Sequence, residues 1–112
     1  MTQRALQEPT LLVLTALADE PRHGYAIARE VEAISDGRVK LRTGTLYGAL
    51  ERLLQQGWIE VRQEEIVDSR LRRTYALTSP GRAALAAEAE RMAATAREAT
   101  RRLGGFGKAA TA

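Results

Sequence analysis

The chain has no cysteine in its 112 residues, which excludes disulfides, thiolate catalysis and cysteine-based metal sites together. Only one histidine, His23, is present. No paired carboxylates or metal-ligand groups stand at a useful spacing, so neither catalysis nor a cofactor is expected. His23 reads as a helix-start or packing residue. No apolar run approaches the ~20 residues of a membrane-crossing helix. The opening Met1-Thr2-Gln3-Arg4-Ala5-Leu6-Gln7-Glu8-Pro9 lacks the charged, apolar and cleavage regions of a secretory signal. A cytoplasmic bacterial protein with no membrane partner is therefore expected. Gly104-Gly105-Phe106-Gly107-Lys108 has the glycines of a phosphate loop, but it follows no strand, opens no helix and misses the required spacing.

What is present suits one domain with a modest core. Charged residues make up 28% of the chain and the net charge is +3, a mild excess whose placement matters more than its total. Thr10 to Ala18 is apolar almost all round, so this helix must be covered on more than one side. Its own core covers one side, and a partner chain is expected on the other through Leu11 and Leu14. From His23 to Ile34, Ile27, Val31 and Ile34 recur at helical spacing, and Ser35-Asp36-Gly37 ends that helix with turn chemistry.

The third helix, Thr43 to Gln56 with Thr43 as the expected N-cap, carries a narrow stripe of Leu46, Leu50, Leu53 and Leu54. Its opposite face carries Gly44, Gly48, Glu51 and Gln55, flanked by Thr45 and Arg52. Glycine in a helix costs about 1 kcal/mol relative to alanine, so two on one exposed face imply close approach by something else. Trp58 to Gln63 and Arg73 to Thr78 read as two strands with the two-residue period of a half-buried hairpin. The polar tip between them, Glu64 to Arg72, turns at Asp68-Ser69, and Arg70, Arg72 and Arg73 give it a positive edge.

Ser79 as N-cap and Pro80 at the first helical position open a last helix. Along it, Leu85, Ala89, Met92, Ala96, Ala99 and Leu103 follow at spacings of 4, 3, 4, 3 and 4, a heptad seam. Such a seam pairs across a dimer or folds back on its own domain; pairing is the reading adopted. The expected organisation is a DNA-binding unit over 1–78, a dimerisation helix over 79–103 and a disordered tail over 104–112. The fold class is mainly α with a small β-hairpin: helix, helix, helix and basic hairpin is the order of a winged helix-turn-helix. In that arrangement Thr43, Gly44, Thr45, Gly48 and Arg52 approach base edges and backbone. Arg42, Arg70, Arg72 and Arg73 supply attraction indifferent to base sequence.

Four pieces in order resemble the PadR family of bacterial winged-helix transcriptional regulators: His23-Gly24-Tyr25-Ala26-Ile27; Gly44-Thr45-Leu46-Tyr47 with Leu50, Arg52 and Leu53; Gly57-Trp58-Ile59; and Tyr75-Ala76-Leu77-Thr78-Ser79-Pro80-Gly81-Arg82. The resemblance spans roughly Pro9 to Leu85. It implies a homodimeric repressor that binds a pseudo-palindromic double-stranded operator and is released by a ligand or other signal, with the protein nucleoid-associated when bound. It also implies that Tyr47 contacts the DNA backbone. Thr43 and Gly48 depart from the family's frequent serine or proline, and the wing turn lacks its glycine-proline character, so base-level specificity does not transfer. Some small members hold flat aromatic drugs between subunits through a tryptophan on the last helix. No aromatic stands over 79–103, and Trp58, at a strand start, reads as core. The competing expectation is a winged-helix protein-interaction module that uses the same surface without sequence-specific DNA binding.

Overall fold

The computed structural model describes residues 6–111 of the chain. Helix α1 spans Glu8–Ala16, two residues earlier than its apolar run suggests. Pro9 falls in its first turn, where a missing N–H leaves no intrahelical bond unmade. Carbonyls at and just past its C-terminus are satisfied by side chains from elsewhere: Arg22 Nε donates to the Ala16 carbonyl at 2.8 Å and Arg82 Nη1 to that of Ala18, beyond the cap, at 3.0 Å. These two arginines therefore serve the fold, closing the kind of helix end that otherwise leaves acceptors unpaired.

A two-residue strand β1, Arg22–His23, leads into helix α2, Gly24–Ile34. The helix stops at Ser35, whose hydroxyl donates to the Val31 carbonyl at 2.9 Å and accepts from Val39 N–H at 3.0 Å. Asp36 and Gly37 then turn the chain with φ of 54° and 77°. Helix α3 covers Thr43–Gln56 and ends at Gly57 in a left-handed conformation, the position where glycine meets no Cβ penalty. Its N-cap is Arg42, with no side-chain capping bond. Thr43 is thus the first helical residue and not the cap expected of it.

Strands β2 (Ile59–Val67) and β3 (Arg70–Leu77) form the hairpin. The two-residue loop is Asp68-Ser69, both at positive φ, as a twist-compatible hairpin turn requires. The sheet has three antiparallel strands in the order β1-β3-β2. The sequence shows only the hairpin, because a strand of two residues carries no alternation to detect. The hairpin also runs further than the apolar pattern: Glu64 faces Arg73 and Glu65 faces Arg72 across the ladder, where oppositely charged pairs support pairing as apolar ones do.

The core gathers Leu12, Val13 and Leu14 of α1, Ile27 and Val31 of α2, Leu46, Leu50 and Leu53 of α3, and Ile59, Tyr75 and Leu77 of the sheet. Leu14 is wholly buried there, which corrects its expected place in a dimer contact. A side chain with no free surface in its own subunit has none to offer a second one. Leu11 keeps part of its surface.

Helix α4 spans Ser79–Thr111, 33 residues, about 50 Å at the usual rise. Its cap is Thr78, one residue before the one expected: Gly81 N–H donates to Thr78 Oγ1 at 3.1 Å, and that hydroxyl donates to the Gly57 carbonyl at 2.6 Å. The helix continues past Leu103 through the glycines, correcting for 104–111 the expectation of a tail without structure. No proline interrupts that stretch, so every residue after Leu103 keeps the N–H that a continuing helix needs. The protein measures 67 × 33 × 22 Å, the long axis reflecting a helix that outruns its domain. Among the described residues, no helix is long and apolar enough to cross a membrane.

Candidate nucleic-acid interface

The leucine stripe turns one side of α3 into the core, so the opposite side faces outward by the geometry of a 3.6-residue turn. Thr43, Gly44, Thr45 and Arg52 are exposed there, with Gly48 half-covered. A Cβ built on Gly44 meets nothing within 4 Å, and one on Gly48 meets only Arg52 Nη1 at 3.7 Å. The fold itself has room for alanine at both positions. Helical side chains lean towards the N-terminus, and Arg52 does so, running back along the bare backbone of Gly48. The result is a face that is slim at Gly44 and Gly48 and carries two hydroxyls and a guanidinium, with Glu51 and Gln55 exposed further along it.

Tyr47 lies at the border of the stripe and is about half exposed. A Cβ on Gly24 would stand 2.6 Å from its hydroxyl oxygen, so the phenol packs onto the first residue of α2 and ties the two helices. One ring therefore packs against the fold while presenting surface to solvent. Arg42, directly before α3, is exposed.

In the wing, Arg70 and Arg73 are exposed and Arg72 is half-buried. Arg73 Nε lies 3.9 Å from Glu64 Oε2. Over Ile59–Leu77 four arginines, at 62, 70, 72 and 73, meet four acids, at 60, 64, 65 and 68. The hairpin as a whole is neutral, and its positive edge belongs to β3 alone. At its end, Ile66 faces Leu71 across the ladder, both exposed.

His23 caps α2: Ala26 N–H donates to its Nδ1 at 3.3 Å. Burial holds its pKa below 6.5, the Arg72 guanidinium adds to that, and Glu65 opposes it. The cap requires the neutral ring, since an acceptor nitrogen has no free lone pair once protonated. Burial pushes the Tyr75 phenol up, against the nearby Arg73.

The proposed dimer residues separate along α4. Leu85 is half-buried against the core, whereas Ala89, Met92, Ala96, Ala99 and Leu103 are all exposed. Sequence reasoning missed a cleft between α2 and the wing, lined by Tyr25, Arg29, Tyr47, Arg70 and Arg72 among others. Tyr25 and Arg29 fall on the polar side of an ordinary amphipathic helix, and nothing in their spacing sets them apart.

Three helices with a slim third one, a short strand pairing into a hairpin and a long appended helix define a winged helix-turn-helix protein. The chain belongs to the PadR-like family of transcriptional regulators, whose family model matches residues 13–87. It is 43% identical over 83 residues to an uncharacterized 37.1 kDa protein in transposon TN4556 of Streptomyces fradiae, a match that covers 74% of this chain and 22% of that protein. The chain thus spans about a fifth of that relative's length. It is 37% identical over 88 residues to the transcriptional regulator Rv3488 of Mycobacterium tuberculosis, covering 79% of this chain and 78% of that one. The fold also matches that of Bacillus subtilis PadR in a crystal structure with operator DNA, at a TM-score of 0.62 and 20% identity over 70% of this chain and 46% of that one.

Proposed function

We propose that the chain is a homodimeric, sequence-specific repressor of transcription that binds a pseudo-palindromic operator. The observation that carries the reading is the outer face of α3, where Gly44 and Gly48 have space the fold leaves empty. Glycine there weakens the helix, and close approach of a duplex is what repays that weakness. Thr43, Thr45 and Arg52 meet base edges or phosphates, while Arg42, Arg70 and Arg72 meet phosphates only. The bound state of the B. subtilis relative, which is of the same family, supports DNA as the partner. The exposed seam from Ala89 to Leu103 and the part-exposed Leu11 support pairing of two copies, which sets two α3 helices to read half-sites about one duplex turn apart. Release by a ligand or other signal completes the reading.

The test is selection of duplexes from the source genome by the purified full chain. Reproducible enrichment of an inverted repeat is expected, with affinity falling in salt at a log–log slope of about −0.9 per phosphate neutralised. Arg72→Ala should weaken binding to every sequence alike, and Thr45→Ala should alter sequence preference. No enrichment, together with a flat salt dependence, would transfer the same surface to the protein-interaction module.

A further inference from the structure

The wing concentrates its acids on β2 and its cations on β3. Glu60, Glu64 and Glu65 lie on β2, where Arg62 pairs with Glu60, and Arg70, Arg72 and Arg73 lie on β3. The order β1-β3-β2 sets the basic strand inward and the acidic strand at the outer edge. Because β1 stops at His23, whose partner is Thr74, β3 has no neighbour on its inner side from Arg73 to Arg70. The gap is a cleft of about 760 Å³ between that stretch and α2, reaching Tyr47 of α3.

Donors and cations line it. The Arg29 guanidinium stands 5.7 Å from the centre of the Tyr25 ring, a stacking that holds a cation in place over an aromatic face. Arg22 is taken up by Asp19, Glu20 and Glu30, which also answers the one acid in the cleft. Arg29, Arg70 and Arg72 have no carboxylate within 4.0 Å among the described residues.

We infer that this cleft is a clamp for one phosphodiester strand of a duplex: Tyr25 and Arg29 hold it from α2, Arg70 and Arg72 hold it from the wing, and the acids of β2 stand one strand further out. The inference rests on the DNA-binding reading above and extends it to a helix that reading leaves out. A polyanion suits the cleft better than a single small anion, because the cations are spread over two elements. Tyr47 also joins the cleft to the outer face of α3, so a duplex seated on α3 runs into it.

Full-length variants are titrated with the selected duplex and with an unrelated one, over a range of salt and with melting temperature recorded. Arg29→Ala should weaken binding to both duplexes equally, by about tenfold, and should lower the salt slope by about one unit. Tyr25→Phe should weaken both by a smaller common factor, and Glu60→Gln should change neither by more than about twofold. Wild-type chain that binds no duplex overturns the underlying reading. Wild-type binding left intact by Arg29→Ala and Tyr25→Phe in folded protein overturns the clamp alone. A tenfold gain in Glu60→Gln, or displacement of the duplex by inorganic phosphate at constant ionic strength, also overturns it.

Discussion

The two halves of α4 share one helix and differ in everything that surrounds them. The root, from Ser79 to Glu88, is capped by Thr78, packs Ala84 and Leu85 on the core and buries Glu88 against Arg91. The outer half, from Ala89 to Leu103, leaves its seam residues exposed, Leu103 by 71%. Isolated helices of this length are marginal in water. Its own ion pairs, Glu98 with Arg101 and Arg102, are exposed and screened by solvent, so they do little to hold it. A root fixed so firmly beneath a free half with apolar residues at heptad spacing is an arm held out for a partner.

The largest expected effect breaks the root. A Cβ on Gly81 would stand 1.9 Å from the Trp58 carbonyl oxygen, a backbone atom that cannot swing aside. Gly81→Ala should cost about 3 kcal/mol or more, seen as a fall in melting temperature of upward of about 10 °C. A melting temperature close to that of the wild type would mean that the root is not the anchor described. Next comes the free half. Met92→Glu with Leu103→Glu should halve the mass seen by light scattering and weaken binding to an inverted repeat by on the order of a hundredfold, the second half-site no longer being held nearby. The body should remain folded by circular dichroism. A wild-type chain that is already monomeric would remove the contrast between the halves.

The contrast also orders what was legible in the sequence. Elements whose faces are set by burial could be read directly: the leucine stripe of α3, the stop at Gly57, the turn at Asp68-Ser69 and the start of α4 to within one residue. Their signals are local and physical, a period or a required φ. What escaped depended on how elements meet. β1 is too short for a pattern, and the outer wing is held by charged rungs that an apolar alternation misses. Leu14 and Leu11 look alike in the sequence, and only packing shows which of them the core encloses. The placement of Tyr25 and Arg29 beside the wing arises because β1 leads straight into α2, a consequence of topology that no window of residues contains.

A third prediction carries the comparison to α3, a helix closed on one side and bare on the other. Gly48→Ala should raise stability by up to about 1 kcal/mol, since alanine is the better helix former and the space is free. It should also weaken operator binding, because a methyl then stands where the duplex approaches. Thermal melting and a binding titration on the same variant separate the two effects. A variant that gains stability and keeps its affinity would show that the bare face has no occupant.

The smallest effect concerns the first turn of α2, where a fold contact and the wing's charge meet in one ring. His23 must be neutral to accept from Ala26, and burial together with Arg72 lowers its pKa in the folded chain below the 6.5 of the unfolded one. The unfolded chain therefore binds the proton first as pH falls. The stability held by the cap is complete above 6.5 and is lost progressively as pH drops below that value. His23→Asn retains a capping acceptor and does not titrate. Melting temperatures of the two chains, compared at about pH 7.5 and about pH 5.5, should diverge at the lower pH by on the order of 2 °C, with the wild type the less stable. The carboxylates common to both chains cancel in that difference. Parallel curves would mean that the ring titrates with no bearing on the fold.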